Sequence, residues 1–136
     1  MVIALPAFVA GVSAAPAFAG SYDDDKDVVH VKVCKVVKDS YKDDKDKKAK
    51  FDFKVWSDKQ SKEVNNVKDG DCKEKDLKYD KYKKVYVKEY DAKGYKVDKV
   101  KCYSDYGYKE AEKKYGYYSC DFKKDWVKIV VVNKKY

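Results

Sequence analysis

Three polar residues sit where strands would be expected to bury apolar side chains. Lys35 follows Val29, Val31 and Val33; Glu89 follows Val85 and Val87; Asn133 follows Val127, Ile129 and Val131. Strand side chains alternate between faces, so each of the three lies on the parity of an apolar face, near its strand's end. A buried ammonium or carboxylate is costly unless it is paired or consumed. Burial lowers the pKa of a lysine and raises that of a glutamate, so both can become neutral. A neutral amine can attack the side-chain carbonyl of an asparagine. A protonated glutamate would hydrogen-bond and shuttle protons while ammonia leaves. The product is an intramolecular isopeptide bond between first and last strands, made in a single-turnover self-modification. The plainer alternative is three strand-end polar groups that each reach water.

The other candidate chemistry lies in Cys34, Cys72, Cys102 and Cys120. An even number of cysteines in an exported chain is read as a disulfide framework. Of the three possible connectivities, Cys34–Cys72 with Cys102–Cys120 is favoured, because each would link strands that neighbour one another in sequence. Each closure would contribute about 3–4 kcal/mol. Zinc is the rival use of such residues. The chain has no CxxC pair and a single histidine, His30, so no metal site and no cofactor are expected. No nucleophile–histidine set or phosphate-binding loop is present, and the chain does not read as an enzyme.

The elements that must position these residues read as short strands. Val28–Lys38 alternates with Val29, Val31, Val33, Lys35 and Val37 inward. Phe51, Phe53 and Val55 mark a second strand, Val64 and Val67 a third, and Leu77 and Tyr79 a fourth. Asp69-Gly70-Asp71 is a turn. KVYVKEY at 84–90 alternates cleanly, with Val85, Val87 and Glu89 together. Tyr95, Val97, Val100 and Cys102 form a strand whose parity shifts after Val97, which predicts a bulge. Residues 103–119 read as a hairpin, and Trp126–Asn133 as the closing strand. Residues 39–50 read as a charged loop. Its lysines are interleaved with its carboxylates, which argues against a calcium loop.

Val and Tyr dominate the apolar share of the 136 residues, which favours an all-β fold. All 32 basic residues other than His30 are lysine, and the formal net charge is +8. Lysine and aspartate are finely interspersed, so this is a solvated surface and not a focused basic patch. With no arginine for bidentate contacts, nucleic acid is not an expected partner. Residues 1–20 carry no charge and end in Ala17-Phe18-Ala19, an A-x-A cleavage pattern. Pro6, Gly11 and Pro16 argue against a spanning helix, so membrane contact would be transient. The segment is either a secretory signal or a donor strand that inserts into a neighbouring subunit. Residues 21–27 form an acidic linker, and residues 28–136 a single sandwich domain of seven or more strands. Of fourteen tyrosines, Tyr86, Tyr90, Tyr103, Tyr106, Tyr108, Tyr115, Tyr117 and Tyr118 are expected largely on exposed faces, where aromatic stripes can hold glycans or pack subunits.

The order of signals resembles the prealbumin-like domains of bacterial surface proteins, which include the CNA-B and SpaA-type pilin modules. The matching pieces are VKVCKVVKD, VYVKEYDAKGYKV and IVVVN. The resemblance implies an antiparallel, immunoglobulin-like β-sandwich. It also implies that the cross-linking residues fall on Lys35, Glu89 and Asn133, the trio that parity selects. The chain departs from the pattern in ending VVVNKKY and in carrying four cysteines. The expected function is an extracellular structural subunit or surface module of a pilus-like filament or cell-surface stalk. It would self-associate or attach to other surface proteins. The alternative is an adhesin whose Tyr-rich strands bind glycan or host protein.

Overall fold

The computed structural model describes residues 27–38 and 43–136. The expectations for residues 1–20, and for the acidic linker up to residue 26, lie outside the described residues. The described chain is ten strands and one short helix. The strands are β1 (Val28–Lys38), β2 (Phe51–Trp56), β3 (Ser61–Val67), β4 (Cys72–Lys78) and β5 (Lys84–Glu89), then β6 (Tyr95–Ser104), β7 (Gly107–Glu110), β8 (Glu112–Lys113), β9 (Tyr118–Asp121) and β10 (Trp126–Lys135). Helix α1 (Asp44–Lys48) lies between β1 and β2.

Two five-stranded sheets face each other. The first has the order β4-β1-β10-β6-β7 and the second β3-β2-β5-β9-β8. Pairing is antiparallel except between β1 and β10, which run parallel, with Val31 opposite Val127 and Lys35 opposite Val131. The first and last strands therefore lie side by side in the middle of one sheet and point the same way. Valine at every second position drives this packing. Val29, Val31, Val33 and Val37 of β1 and Val127, Ile129 and Val131 of β10 meet Phe51, Phe53, Val55, Val85 and Val87 of the second sheet, all buried.

Two bulges keep the inward faces in phase. Between Val132 and Asn133 the β10–β6 register passes from Lys99 to Val97, leaving Asp98 as an extra residue. That is the parity shift legible between Val97 and Val100. In β3, Val64 and Val67 are both buried although they are three apart. An extra residue opposite Asp52 resolves the conflict. Asn66 takes φ 61° there, and its N–H donates to Asp52 Oδ1 at 2.8 Å.

The segment read as a charged loop contains α1. Asp43 caps it, accepting from the Asp46 N–H at 2.9 Å while the Asp46 carboxylate accepts from the Asp43 N–H at 3.1 Å. Residues 103–119 are not one hairpin but parts of two. β6 turns back into β7 in the first sheet, and the chain then crosses to the second, where β8 pairs with β9.

A buried Lys–Glu–Asn cluster and two disulfides

Lys35 and Asn133 lie on neighbouring parallel strands. Lys35 is opposite Val131 and Asn133 opposite Val37, so the two are diagonal neighbours on the inward face. Glu89 comes from the end of β5, in the facing sheet, where it is paired with Phe53. Its carboxylate bridges the others. Lys35 Nζ donates to Oε1 at 2.6 Å and Asn133 Nδ2 donates to Oε2 at 2.7 Å. Lys35 and Asn133 are both 0% exposed. The structure thus brings all three sequence-selected residues into one cluster, and Lys35 and Asn133 do not reach water.

The walls of the cluster are aromatic. Lys35 Nζ lies 4.3 Å from the centre of the Phe51 ring and 5.7 Å from that of Phe53. Removal from water is the larger influence on its ammonium. The opposing pull of Glu89 is smaller, and the pKa falls from the ordinary lysine value to about 8. Asn133 Oδ1 is buried with no hydrogen-bond partner among the described residues. An orphaned buried carbonyl oxygen costs stability. This one belongs to the carbon that an amine would attack. A half-turn of the amide would place Oδ1 on a protonated Glu89.

Lys35 is also held through its backbone. Its N–H donates to the Asp71 carbonyl at 3.0 Å, and its own carbonyl accepts from the Gly70 N–H at 2.8 Å. Val37 N–H donates to Asp69 Oδ1 at 2.8 Å. Gly70 takes φ 86°, which suits glycine in this turn.

The structure joins Cys34 to Cys72 and Cys102 to Cys120. Neither bridge joins strands consecutive in the chain. Cys34 and Cys72 are directly opposed on β1 and β4 within one sheet. Cys102 on β6 and Cys120 on β9 tie the first sheet to the second. His30 Nδ1 lies 2.7 Å from Asp76 Oδ1. Among the described residues, no group of three or more His, Cys, Asp or Glu side chains is placed to hold a metal.

Sequence reasoning missed a second buried charge. Asp46 of α1 is 1% exposed. Its carboxylate accepts from the Tyr95 hydroxyl at 2.6 Å and from Lys135 Nζ at 2.9 Å. These donors, the Tyr95 hydroxyl first, hold it well below the usual carboxylate range. Burial, with Asp46 beside it, pushes the Tyr95 hydroxyl up to about 12. The available signal was the pair of acidic residues at the cap and third helical positions, which a run of lysines and aspartates conceals.

Of the eight tyrosines expected on exposed faces, Tyr90, Tyr106, Tyr108 and Tyr115 are exposed and the other four are half-buried. Trp56, Tyr86 and Tyr117 form a mutual cluster with ring centres 5.2–5.8 Å apart.

No family model and no curated protein matches the sequence. The fold does match solved structures. One is a bacterial adhesin from Mobiluncus mulieris, described as containing intramolecular disulfide, isopeptide and ester bond cross-links. It aligns at a TM-score of 0.57 and 15% identity over 79% of this chain and 41% of the adhesin. Another is the major pilin protein T3.2 from Streptococcus pyogenes, at a TM-score of 0.52 and 20% identity over 80% of this chain and 45% of the pilin. The chain therefore spans less than half of each of these two structures. At these identities the likeness is one of fold alone, an all-β sandwich.

Proposed function

We propose that this chain is an extracellular structural module, built on a fold shared with adhesin and pilin structures and closed by covalent bridges. The observation that carries the reading is the bridging of Lys35 and Asn133 by a single buried carboxylate, between the first and last strands. Surface filaments and stalks are pulled along their length. A load applied at the two ends of this domain would shear β1 against β10, because they are adjacent and parallel. A Lys35–Asn133 bond would carry that load directly from one strand to the other. The M. mulieris adhesin, described with both disulfide and isopeptide cross-links, supports the reading by analogy.

The reaction balances without a cofactor. A proton passes from Lys35 Nζ to Glu89 along their 2.6 Å hydrogen bond, leaving a neutral amine and a carboxylic acid. The amine attacks Asn133 Cγ, with Oδ1 accepting the Glu89 proton's hydrogen bond. The new Nζ–Cγ bond forms and the Cγ–Nδ2 bond breaks. Glu89 relays the displaced amine proton to Nδ2, and ammonia departs. The reactive form holds the same number of protons as the ion pair it replaces. The rate is therefore level while the pair keeps its proton, and falls as that proton is lost, near pH 8.

Intact mass of the oxidised protein tests the proposal: the expected result is loss of ammonia in the wild type and none in Lys35→Ala. An unchanged mass in the wild type would sink it. Within this reading, residues 1–20 serve for export or as a donor strand, and the module polymerises or attaches to other surface proteins.

One observation favours an adhesin as the second reading. Trp56, Tyr86 and Tyr117 present a half-exposed aromatic cluster, with Lys54 Nζ 5.3 Å from the centre of the Trp56 ring. Glycan-array binding that disappears in Trp56→Ala or Tyr86→Ala would favour it.

A further inference from the structure

The backbone bonds that hold Lys35 come from the turn that leads into β4. Asp71 and Gly70 are the residues just before Cys72, and they continue the β4–β1 ladder past the end of β4. β4 is an edge strand, and Leu77 is its only buried side chain. Leu77 lies opposite Val29, at the far end of the strand from Lys35. Near Lys35, the turn is fastened by backbone hydrogen bonds, by Asp69 Oδ1 accepting from the Val37 N–H, and by one covalent link, Cys34–Cys72. That link lies one residue before Lys35 on one strand and one residue after Asp71 on the other. The second disulfide, Cys102–Cys120, joins β6 to β9 and shares no backbone bond with Lys35.

We propose that Cys34 and Cys72 are positioning residues for the Lys35–Asn133 cross-link: their disulfide forms first and clamps the 69–71 turn onto Lys35, so that cross-linking depends on prior oxidation. The inference rests on the proposed cross-linking reaction and adds its regulation. In the first step a disulfide-bearing oxidant accepts two electrons and two protons as the two thiols become the disulfide, by thiol–disulfide exchange. In the second, the amine displaces ammonia as described above. Without the clamp, the edge opens locally at low cost, because few apolar contacts hold it. Lys35 then loses its fixed backbone partners on that side, and water reaches the ammonium. A displacement of about an ångström in a reacting pair costs on the order of a hundredfold in rate.

The test is full-length chain made by cell-free synthesis, with ammonia loss followed by intact mass. Wild type is made with oxidised glutathione or with reductant. Two variants, Cys34→Ala/Cys72→Ala and Cys102→Ala/Cys120→Ala, are made with oxidised glutathione. The expected result is fast cross-linking in oxidised wild type and in the Cys102/Cys120 variant. Cross-linking should be about tenfold slower or more in the Cys34/Cys72 variant and in reduced wild type. The alkaline fall in rate should also move up from near pH 8 toward the ordinary lysine value in the Cys34/Cys72 variant and in reduced wild type but not in the Cys102/Cys120 variant, a change that mere loss of global stability would not produce. Oxidised glutathione added to the reduced wild type should restore the fast rate. Equal rates in the two double variants, or in reduced and oxidised wild type, would overturn the inference while leaving the cross-link intact. No ammonia loss in oxidised wild type would overturn the reading of the site, and the inference with it.

Discussion

Two buried charges in this sandwich are connected to one ring, Lys35 directly and Asp46 through a tyrosine. Lys35 sits over the face of Phe51, and Tyr95, which holds Asp46, packs edge-on against the same ring at 5.2 Å. Both titrations are displaced downward, and the shared direction means opposite things. For Lys35 burial outweighs the pull of Glu89 and the weaker pull of Asp69, so the charged form is disfavoured and the proton is easily lost. For Asp46 a hydroxyl, an ammonium and a backbone N–H outweigh burial, so the charged form is favoured. Burial alone does not mark a reactive group. What matters is whether the surroundings solvate the charge as water would. Asp46 is solvated and structural. Lys35 is under-solvated, next to an amide with an orphaned oxygen, and that is where chemistry can happen.

The largest expected effect comes from breaking the under-solvated side. Lys35→Ala leaves a void, strips Glu89 of its cation and forbids the cross-link. Breaking a buried pair in this way costs about 3–5 kcal/mol, before any contribution from the covalent bond. Lys35→Met fills the void and carries no charge, so it should lose less stability while losing no ammonia. Urea denaturation of the three proteins, with intact masses, would show the order wild type, Met, Ala. Lys35→Ala as stable as wild type would remove the distinction drawn between the two charges.

Asp46→Asn should be milder, because Lys135 is partly exposed and can turn to water. About 1–3 kcal/mol is expected, because the amide Oδ1 can still accept from Tyr95 while its Nδ2 cannot accept from the Asp43 N–H or from Lys135, which unmakes half the capping box and the link from α1 to β10. Ammonia loss should persist. The depressed carboxyl contributes stability that is present above the unfolded value of 3.8 and disappears as pH falls below it. Acid denaturation should therefore be blunted in Asp46→Asn. If that variant also stopped cross-linking, the two charges would be one network and the contrast would fail.

The pH dependence of cross-linking sharpens the same contrast. If a free amine were all that mattered, the rate would climb through pH 8. If Glu89 must hold the proton that Lys35 gives up, the rate falls there, since the pair has lost it. Time courses of ammonia loss at pH 6, 7 and 9 separate the two, and a rate rising at pH 9 would exclude Glu89 as the proton carrier.

Much of this arrangement was legible because strands have a period of two. Lys35, Glu89 and Asn133 betray themselves by sitting on apolar parities, and the Asp98 bulge by a change of parity. The β1–β10 parallel pairing was not legible, since a local period says nothing about which distant strand lies alongside. Nor was Asp46. Its partners, Tyr95 and Lys135, are remote in sequence, and its own segment is a mixture of lysine and aspartate whose composition favours solvent. The parity of β3 misleads for a different reason: Asn66 in a left-handed conformation lets residues three apart face the same way.

A third charge pair, at the surface, sets the lower end of the scale. His30 and Asp76 are directly opposed on β1 and β4, 2.7 Å apart, and both side chains are about half exposed or more. The hydrogen bond between them is the main reason that His30 is raised, and the main reason that Asp76 is lowered. The imidazolium's share of stability is full below the unfolded value of 6.5 and disappears as pH rises through the higher folded value. The carboxylate's share is present above 3.8 and lost below it. The pair therefore helps most between these two pH values. Water already solvates both ions, so the gain is only about 0.2–1 kcal/mol and is screened by salt. Asp76→Asn should lower the denaturation midpoint slightly at pH 5, not at pH 8, and less in high salt. A large or salt-insensitive loss would mean that this pair on β1 and β4 is buried in an assembly, and that solvent exposure is not what separates it from Lys35.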